Sequence, residues 1–308
     1  MKMVVTGGAG FIGSHLVNNL VSQGYEVHVI DNLTTGDPCL LHSEAILHVA
    51  DVRGDQAQNV IRVVKPEVVF HLAAAQTGGQ QSTKSPSADF ETNVMGTLNI
   101  LDACHAYKVR KIVFASSYSV YGNLAKELIT EHDSVNPLSF CALSKLAAEQ
   151  YIRMFKHYYG VDYTILRYGN VYGPDQTAKG EGNVIAVYQE QVQNGQPLTV
   201  YGDGTQTRDF IHVKDIVKAN IAAIDYGSGE ILNVSTGHST SMNQLIDIIQ
   251  SQLSLPFGVN YLPAKPEDIL HSSLNITRIC AVLPWAPEYT LEQGLRETCR
   301  HWISSVHL

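Results

Sequence analysis

Residues 2–13 of this 308-residue chain read Lys-Met-Val-Val-Thr-Gly-Gly-Ala-Gly-Phe-Ile-Gly, a short apolar strand followed at once by a glycine-rich turn. Apolar periodicity from residue 14 to about 22 predicts a helix after the turn, and residues 27–30 predict a second strand that ends on Asp31. Strand, glycine-rich turn and helix in this order are the context that a dinucleotide-binding fingerprint requires. The stretch therefore predicts the first βαβ unit of a parallel sheet that binds a dinucleotide.

Each glycine of this turn has a separate role in the predicted site. Gly7 permits the tight turn, Gly10 lets the backbone approach a pyrophosphate, and Gly13 lets the helix pack close to the strand. The helix N-terminus offers unpaired N–H groups and partial positive charge to phosphates. The carboxylate of Asp31 would accept hydrogen bonds from ribose hydroxyls and repel a 2′-phosphate, so we expect NAD rather than NADP.

Composition narrows the class of protein. Hydrophobic residues make up 44 % of the chain and charged residues 16 %, which is typical of a compact soluble enzyme. The net charge of −8 disfavours nucleic acid and anionic membrane surfaces, and no apolar run approaches the length of a membrane span. The five cysteines include no Cys-x-x-Cys pair and the histidines no metal-binding spacing, so we expect no metal, no disulfide and a cytoplasmic location.

Strand-like and helical segments alternate through the first two-thirds of the chain, which predicts an α/β fold with a Rossmann-type, doubly wound parallel sheet. We expect the dinucleotide-binding domain to comprise residues 1–167 and about 202–228. A smaller mixed α/β C-terminal domain would comprise about 168–201 and 229–308 and bind the substrate. Glycine, proline and polar residues in 169–182 predict a loop over the active site.

An ordered series of motifs runs through the chain. They are Gly7–Gly13, Asp31–Leu33, Asp51–Arg53, His71–Ala74, Asn93–Thr97, Ser116–Gly122, Ala142–Lys145, Arg167–Pro174, Tyr201–Gly204 and Arg208–Val213. In this order they resemble the extended short-chain dehydrogenase/reductase family and, within it, the NAD-dependent UDP-hexose 4-epimerases. The resemblance spans nearly the whole chain, and the ordered set is far more specific than any one motif.

The resemblance implies a bound NAD that takes hydride from C4 of a UDP-hexose and returns it to the other face of a transient 4-keto sugar. The family positions that hold the cofactor match Gly7, Gly10, Phe11, Ile12, Gly13, Asp31, Asn32, Asp51, Val52, Leu72, Ala73, Ala74, Asn93, Ser116, Lys145 and Tyr168. The family positions that hold the substrate match Ser117, Tyr118, Asn170, Arg208, Lys265, Asp268 and Ser272.

The substrate positions have distinct implied roles. Arg208 is the residue expected to bind the phosphates with its positive charge. Lys265 stands where the family usually has a second Arg; a lysine keeps the positive charge but cannot bind phosphate through two parallel hydrogen bonds. Asn170 would donate to the diphosphate and Asp268 would bind the uridine ribose. Ser272 matches the residue that gates the sugar pocket, and its small size leaves room for an N-acetyl group as well as for UDP-glucose or UDP-galactose.

The catalytic set departs from the family at one position. The resemblance implies a Ser, a Tyr base and a Lys four residues later; Ser117 and Lys145 match, but Cys141 stands where the Tyr is expected. Phe140 lies about 100° away around the helix and cannot substitute. A thiol beside Lys145 and a nicotinamide would favour the thiolate, yet its sulfur falls short of the place of a phenolic oxygen, and a base acts within about 3 Å of its proton.

Three interpretations of Cys141 stay open. It is an introduced or chance substitution in an ordinary epimerase, or it belongs to a variant that uses Cys141 or Tyr118 for different or slower chemistry, or the chain binds its ligands without catalysis. The dehydratase branch has an Asp-Glu pair where this chain has Tyr118 and Ser119, so dehydration ranks below epimerisation. Decarboxylation of a UDP-hexuronate is a related alternative without a supporting residue.

Residues 86–107 and 139–159 predict two long helices. They match the helices that pair between subunits in the family, so we expect a homodimer held by a four-helix bundle. Amphipathic helices packed within one subunit would give the same pattern.

Overall fold

A computed structural model describes residues 1–75, 86–124, 126–178, 184–253, 257–264 and 270–305. Its strands are β1 (Lys2–Thr6), β2 (Glu26–Asp31), β3 (Ile46–Val49), β4 (Val68–His71), β5 (Lys111–Ser117), β6 (Asp162–Tyr168), β7 (Asn170–Tyr172), β8 (Leu198–Tyr201), β9 (Thr207–His212), β10 (Glu230–Val234), β11 (Ser239–Ser241) and β12 (Val259–Leu262). Its α-helices are α1 (Phe11–Ser22), α2 (Asp55–Val64), α3 (Pro86–Asp89), α4 (Gly96–Ala106), α5 (Phe140–Tyr159), α6 (Val184–Gln193), α7 (Val213–Ala222), α8 (Met242–Leu253), α9 (Thr277–Val282) and α10 (Leu291–Ser305).

The large sheet has seven parallel strands in the order β10-β6-β5-β4-β1-β2-β3. The strand order reverses between β1 and β4, and ligands of open α/β sheets bind at such a switch point, beyond the carboxyl ends of the strands. The glycine-rich turn follows β1 directly, and residues 72–75 follow β4. The predicted α/β, doubly wound parallel sheet is confirmed.

Both faces of this sheet are covered by helices. Successive residues of β1 point to opposite faces, so Met3 and Val5 lie in one apolar cluster with α1 and α7, whereas Val4 lies in the other with α2, α4 and α5. Because both faces are buried, the strands are apolar at nearly every position rather than alternating.

The predicted helix over 86–107 is interrupted. A π-helical segment, Phe90–Met95, joins α3 to α4, and it contains the buried side chain of Asn93. Single π-turns inside helices occur frequently at functional sites. The second predicted long helix, over 139–159, is observed as one continuous helix from Phe140 to Tyr159.

Two small sheets, β11-β9-β7 and β12-β8, lie outside the large one and share an apolar cluster with α6, α8 and α10. One detail of the sequence-based scheme was wrong: residues 170–172, predicted as loop, form β7, which pairs with β9. Residues 230–234, expected in the smaller domain, form β10 at the edge of the large sheet. Among the described residues, no helix is long and apolar enough to span a membrane.

Candidate active site

The glycine-rich turn is fixed by close backbone packing. Gly7 has a φ of 68°, and a Cβ there would lie 2.7 Å from the amide nitrogen of Ala73. A Cβ on Gly13 would lie 2.1 Å from the carbonyl oxygen of Gly7, so α1 approaches the turn more closely than any other residue allows. Gly10 is the N-cap of α1 and provides no side-chain cap, which leaves the first N–H groups of the helix for a ligand.

Asp31 is held at the end of β2 by the backbone around it. Its Oδ2 accepts a hydrogen bond from the amide of Ala9 at 3.0 Å, and its Oδ1 accepts one from the amide of Leu33 at 2.9 Å. Leu33 has a φ of 57°, which turns the chain back over the carboxylate. Each oxygen keeps a second lone pair, so the carboxylate can also accept hydrogen bonds from a ribose.

Asp51 lies beside Asn32, next to the same strand ends. The guanidinium of Arg53 donates to both carboxylate oxygens of Asp51 at 2.8 Å, and the side-chain Nδ2 of Asn32 donates to Oδ2 of Asp51 at 3.0 Å. Hydrogen bonds from Arg53 hold the pKa of Asp51 well below its usual range. Arg53 also pairs with Glu91 at the π-helical segment, so Asp51 and Asn32 are tied to the segment that carries Asn93.

A chain of buried hydrogen bonds passes through His71 and joins Thr6 at the end of β1 to Thr97 and Asn93. The hydroxyl of Thr97 donates to the carbonyl of Asn93 at 2.5 Å, so it must accept from Nε2–H of His71 at 3.0 Å. Nδ1 of His71 is then unprotonated and accepts from the hydroxyl of Thr6 at 2.7 Å, which itself accepts from the amide of Ala73 at 3.3 Å. Burial, and then the charge of Lys145, lowers the pKa of His71 to about 3, so the ring is neutral.

The side chain of Asn93 continues this chain to the predicted catalytic turn. Its Oδ1 accepts from the amide of Ala75 at 2.9 Å, and its Nδ2 donates to the hydroxyl of Ser144 at 2.8 Å. That hydroxyl donates to the carbonyl of Cys141 at 2.7 Å. Asn93 therefore links the segment after β4, where NAD is expected, to the first turn of α5.

Helix α5 carries Cys141 and Lys145 on its buried side, and Lys145 reaches β5. Ser139 caps the helix by accepting from the amide of Ala142 at 3.1 Å, so Cys141 lies in the first turn. Both Cys141 and Lys145 are buried, and Nζ of Lys145 donates to the carbonyl of Ala115 at 3.0 Å. Ala115 is two residues before Ser117 on β5, so Lys145 reaches the end of the strand that carries Ser117.

A buried ion pair holds α5 against the sheet beneath this group. Glu149 accepts two hydrogen bonds from Arg167 on β6, at 3.0 and 2.6 Å, and one from the hydroxyl of Ser116 at 2.5 Å. Arg167 also lies over the ring of Tyr121, 4.8 Å from its centroid. Together with Ser116 at the end of β5, this ion pair holds α5 at a fixed distance from the sheet. The hydroxyl of Ser116 is used in this contact.

The described residues predicted for the substrate lie on or next to β5, β7 and β9. Ser117 ends β5, and its hydroxyl accepts from the hydroxyl of Ser119 at 2.8 Å. The phenol of Tyr118 donates to Oδ1 of Asn170 at 3.3 Å, and Nδ2 of Asn170 donates to the carbonyl of Asp209 at 3.3 Å. Tyr118 and Asn170 therefore form one hydrogen-bonded pair next to Ser117.

Other predicted residues are placed less specifically. The guanidinium of Arg208 donates to the carbonyl of Thr207 at 2.9 Å, and Ser272 is buried with no hydrogen-bond partner for its hydroxyl among the described residues. The phenol of Tyr168 is bonded to Asn220 in the core, at 3.0 Å, so a role in cofactor binding falls to its backbone. Lys265 and Asp268 lie outside the described residues.

The remaining cofactor positions lie around the switch point. Phe11 and Ile12 open α1, Val52 is next to Asp51, and Leu72 to Ala74 follow β4. Sequence reasoning did not single out Thr6, Ser144, Glu149 or Asp209, each of which holds a predicted residue in place. Thr6, Ser144 and Asp209 lie inside or directly before a motif, whereas Glu149 lies four residues after one.

The geometry fits a dinucleotide. An uncapped helix N-terminus follows a turn with no room for a side chain at Gly7 or Gly13, which suits a pyrophosphate. The Asp31 carboxylate stands at the end of the adjacent strand, where a ribose would lie. No group of three or more His, Cys, Asp or Glu side chains in the described part of the chain could hold a metal ion.

Comparison with known proteins gives the family. The family model of the NAD dependent epimerase/dehydratase family matches residues 3–235. The chain is 36 % identical over 305 residues to a UDP-glucose 4-epimerase of Mycolicibacterium smegmatis, covering 97 % of both proteins. A crystal structure of UDP-glucose 4-epimerase from Thermotoga maritima with UDP-glucose is 35 % identical, with a TM-score of 0.96, and the match covers 99 % of this chain and 100 % of that one.

A structure of UDP-glucose 4-epimerase from Thermus thermophilus, in complex with NAD, is also similar to this chain. Its sequence is 35 % identical, its TM-score is 0.93, and the match covers 99 % of this chain and 100 % of that one. Sequence family, fold and full-length coverage agree. The chain therefore belongs to the NAD-dependent epimerase/dehydratase family.

Proposed function

We propose that this protein is an NAD-dependent 4-epimerase of a UDP-hexose, with UDP-glucose and UDP-galactose as its first candidates. The observation that carries the proposal is the position of Lys145, whose ammonium donates to the carbonyl of Ala115 two residues before Ser117, at the carboxyl end of β5. The glycine-rich turn at β1 and the resemblance to proteins solved with UDP-glucose and with NAD support it.

NAD, when bound, supplies the hydride acceptor and donor for C4 of the sugar. The residues of this chain must hold the sugar C4 hydroxyl and move its proton. Ser117 offers a hydroxyl at the end of β5, and Lys145 offers a buried positive charge that favours an oxyanion nearby. Tyr118 and Asn170 offer hydrogen-bonding groups beside them for the sugar or its diphosphate.

Cys141 makes this an impaired epimerase in our proposal. It lies in the first turn of α5, one turn before Lys145, where the family has its Tyr. A thiol there can ionise, but it is shorter than a phenol and does not reach the proton that the phenol would take. Loss of a positioned general base costs about 10²–10⁴-fold in rate.

The proposal is tested on the purified protein in two steps. Denaturation should release NAD, identified by mass analysis, and proton NMR should then detect slow conversion of UDP-glucose to UDP-galactose. Lys145→Met should abolish the conversion. Lys108 lies between α4 and β5, at the opposite end of the sheet, so Lys108→Met should leave the conversion unchanged. Absence of both NAD and UDP-glucose binding would refute the proposal.

A second candidate function is favoured by Cys141 alone: a catalytically silent protein that binds NAD and a nucleotide sugar. Both candidates predict released NAD. They differ in Cys141→Tyr, which should restore epimerisation in an impaired epimerase and leave a silent binding protein inactive.

Ser272 bears on the choice of sugar. Its side chain is small and buried, so an N-acetyl group is sterically admitted if this residue faces the sugar pocket as the resemblance implies. We therefore include UDP-N-acetylglucosamine in the proposed substrates. Strict rejection of the acetylated sugar by the Cys141→Tyr protein would refute this part of the proposal.

The expected homodimer is also a proposal. Helix α5 exposes apolar side chains at Leu143, Tyr151 and Met154, and the neighbouring helical segment exposes Phe90 and Met95. An exposed apolar stripe on two adjacent helices suits a four-helix contact with a second copy. Met154→Glu should convert a dimer to a monomer in sedimentation, and an unchanged mass would argue against this contact.

A further inference from the structure

Asp209 is a buried carboxylate on β9 that has no role in the proposed chemistry, yet both of its oxygens accept several hydrogen bonds. Its Oδ1 accepts from the amide of Thr236 at 3.0 Å and from the hydroxyl of Thr236 at 2.6 Å. Its Oδ2 accepts from the amides of Gly237 at 3.0 Å and Leu274 at 3.1 Å, with the hydroxyl of Ser273 at 3.5 Å. One side chain of β9 thus holds two separate segments, 236–237 and 273–274.

Burial raises the pKa of Asp209, whereas its hydrogen-bond partners favour the ionised form. Three of them are backbone N–H groups, which can only donate, and hydrogen bonds from donors stabilise a carboxylate over a carboxylic acid. An asparagine would place an amide NH₂ against some of these N–H groups. Asn at this position therefore cannot reproduce the full set, although its size is the same.

The segments held by Asp209 carry predicted substrate residues. Ser272 precedes Ser273, and its own amide donates to the carbonyl of Thr207 on β9 at 3.3 Å. Arg208 is the residue before Asp209 on the same strand. The carbonyl of Asp209 accepts from Asn170, which in turn accepts from Tyr118.

We propose that Asp209 is a positioning residue for the nucleotide-sugar site: its carboxylate fixes the segment of Ser272 against β9, and its carbonyl orients Asn170. This inference rests on the proposed function, because it assigns a common support to residues that would bind the UDP-sugar. The hydrogen bonds described for the Asp209 side chain go to residues 236–237 and 273–274, which are not among those expected to hold NAD. Its removal should therefore weaken sugar-nucleotide binding and leave NAD in place.

The test measures the Kd of UDP-glucose by calorimetry on purified, NAD-containing protein, so that it does not depend on turnover. Asp209→Asn should weaken UDP-glucose binding at least about tenfold with unchanged NAD content, since several charge-assisted hydrogen bonds are lost. Thr236→Val, which removes only the 2.6 Å bond to Oδ1, should weaken it by about threefold.

The matched control is Asp215→Asn. Asp215 is another fully buried aspartate, whose Oδ2 accepts from the amide of Tyr289 at 3.1 Å, away from the predicted substrate residues. The Asp215→Asn protein should be less stable than the parent, but its Kd for UDP-glucose should stay within about twofold of the parent value. A folded Asp209→Asn protein with the parent affinity, or an equal weakening in Asp215→Asn, overturns the inference.

If Asp209→Asn does not fold, Thr236→Val decides by the same comparison with Asp215→Asn. Failure of the parent protein to bind UDP-glucose at all overturns the proposed function itself. A normal parent affinity that Asp209→Asn and Thr236→Val leave unchanged overturns only the role of Asp209.

Discussion

The two turns that make up the site are specified in different ways. Around Gly7–Gly13 the backbone itself forms the site, and a single methyl group at Gly13 would meet the carbonyl of Gly7. Around Ser139–Lys145 an ordinary capped helix start carries the predicted catalytic side chains. The first turn has no room for a side chain at Gly7 or Gly13. The second keeps its cap and its helix with Cys at position 141, where the resemblance implies Tyr.

The sharpest challenge to this comparison is Cys141→Tyr. If the catalytic turn is specified by side chains, the variant should fold as the parent does and epimerise UDP-glucose about 10²–10⁴-fold faster, because a positioned phenol is restored. Steady-state rates at saturating UDP-glucose measure this. A folded, NAD-containing variant with no gain would contradict the impaired epimerase and favour the silent binding protein.

The position of the catalytic helix should depend on one buried pair. Glu149→Gln leaves the Arg167 charge buried without its counter-ion, and we expect a loss of about 3–5 kcal/mol in unfolding free energy by urea titration. The matched control also joins α5 to β6: Lys156 and Asp162 pair at the partly exposed end, and Asp162→Asn should cost less than about 1 kcal/mol. Equal losses would contradict the assignment.

The cofactor turn should reject the smallest substitution. Gly13→Ala forces the turn and α1 apart, and we expect a loss of about 3 kcal/mol in unfolding free energy together with protein that purifies without NAD. Gly54→Ala is the control, because its Cβ would meet nothing closer than 3.6 Å. NAD retained in Gly13→Ala would show that the turn adapts.

The smallest expected effect belongs to neither turn. Burial lowers the pKa of His212 to about 4, so the folded protein binds this proton less well than the unfolded chain. Its contribution to stability is complete above pH 6.5 and falls as the pH drops towards 4. Between pH 7.5 and 5 it accounts for a loss of about 2 kcal/mol, which His212→Phe should remove.

Urea titrations of the two proteins at both pH values measure this difference. His212 makes no side-chain hydrogen bond in the described structure and stacks on Tyr289 at 4.3 Å, so Phe keeps its packing. An identical acid sensitivity in both proteins would mean that another group near His212 titrates instead.

The parts of this molecule that could be predicted from sequence are those with a local cause. The glycine turn, Asp31 at a strand end and the long helix over residues 139–159 follow from neighbours in the chain, and each was found where it was expected. The grouping of Ser117 with Lys145 came from a family pattern, and the structure supports it through Ala115. Their catalytic roles stay predictions.

The parts that could not be predicted depend on distant partners. Asp209 and Glu149 read as ordinary acidic residues until Leu274 and Arg167 are seen beside them. That strand β10 joins the large sheet could not be predicted, because its partner, β6, lies more than sixty residues earlier in the chain. The π-helical segment around Asn93 has no periodicity that distinguishes it from an α-helix over so few residues.

Helix α5 has a consequence that concerns quaternary structure. Its inner side carries Cys141 and Lys145, its outer side exposes Leu143 and Tyr151, and Glu149 joins the same helix to Arg167 on β6. We expect a second copy packed on the outer side to hold the helix, and with it the inner residues, in place. Specific activity should then fall on dilution, in step with dissociation of any complex formed there.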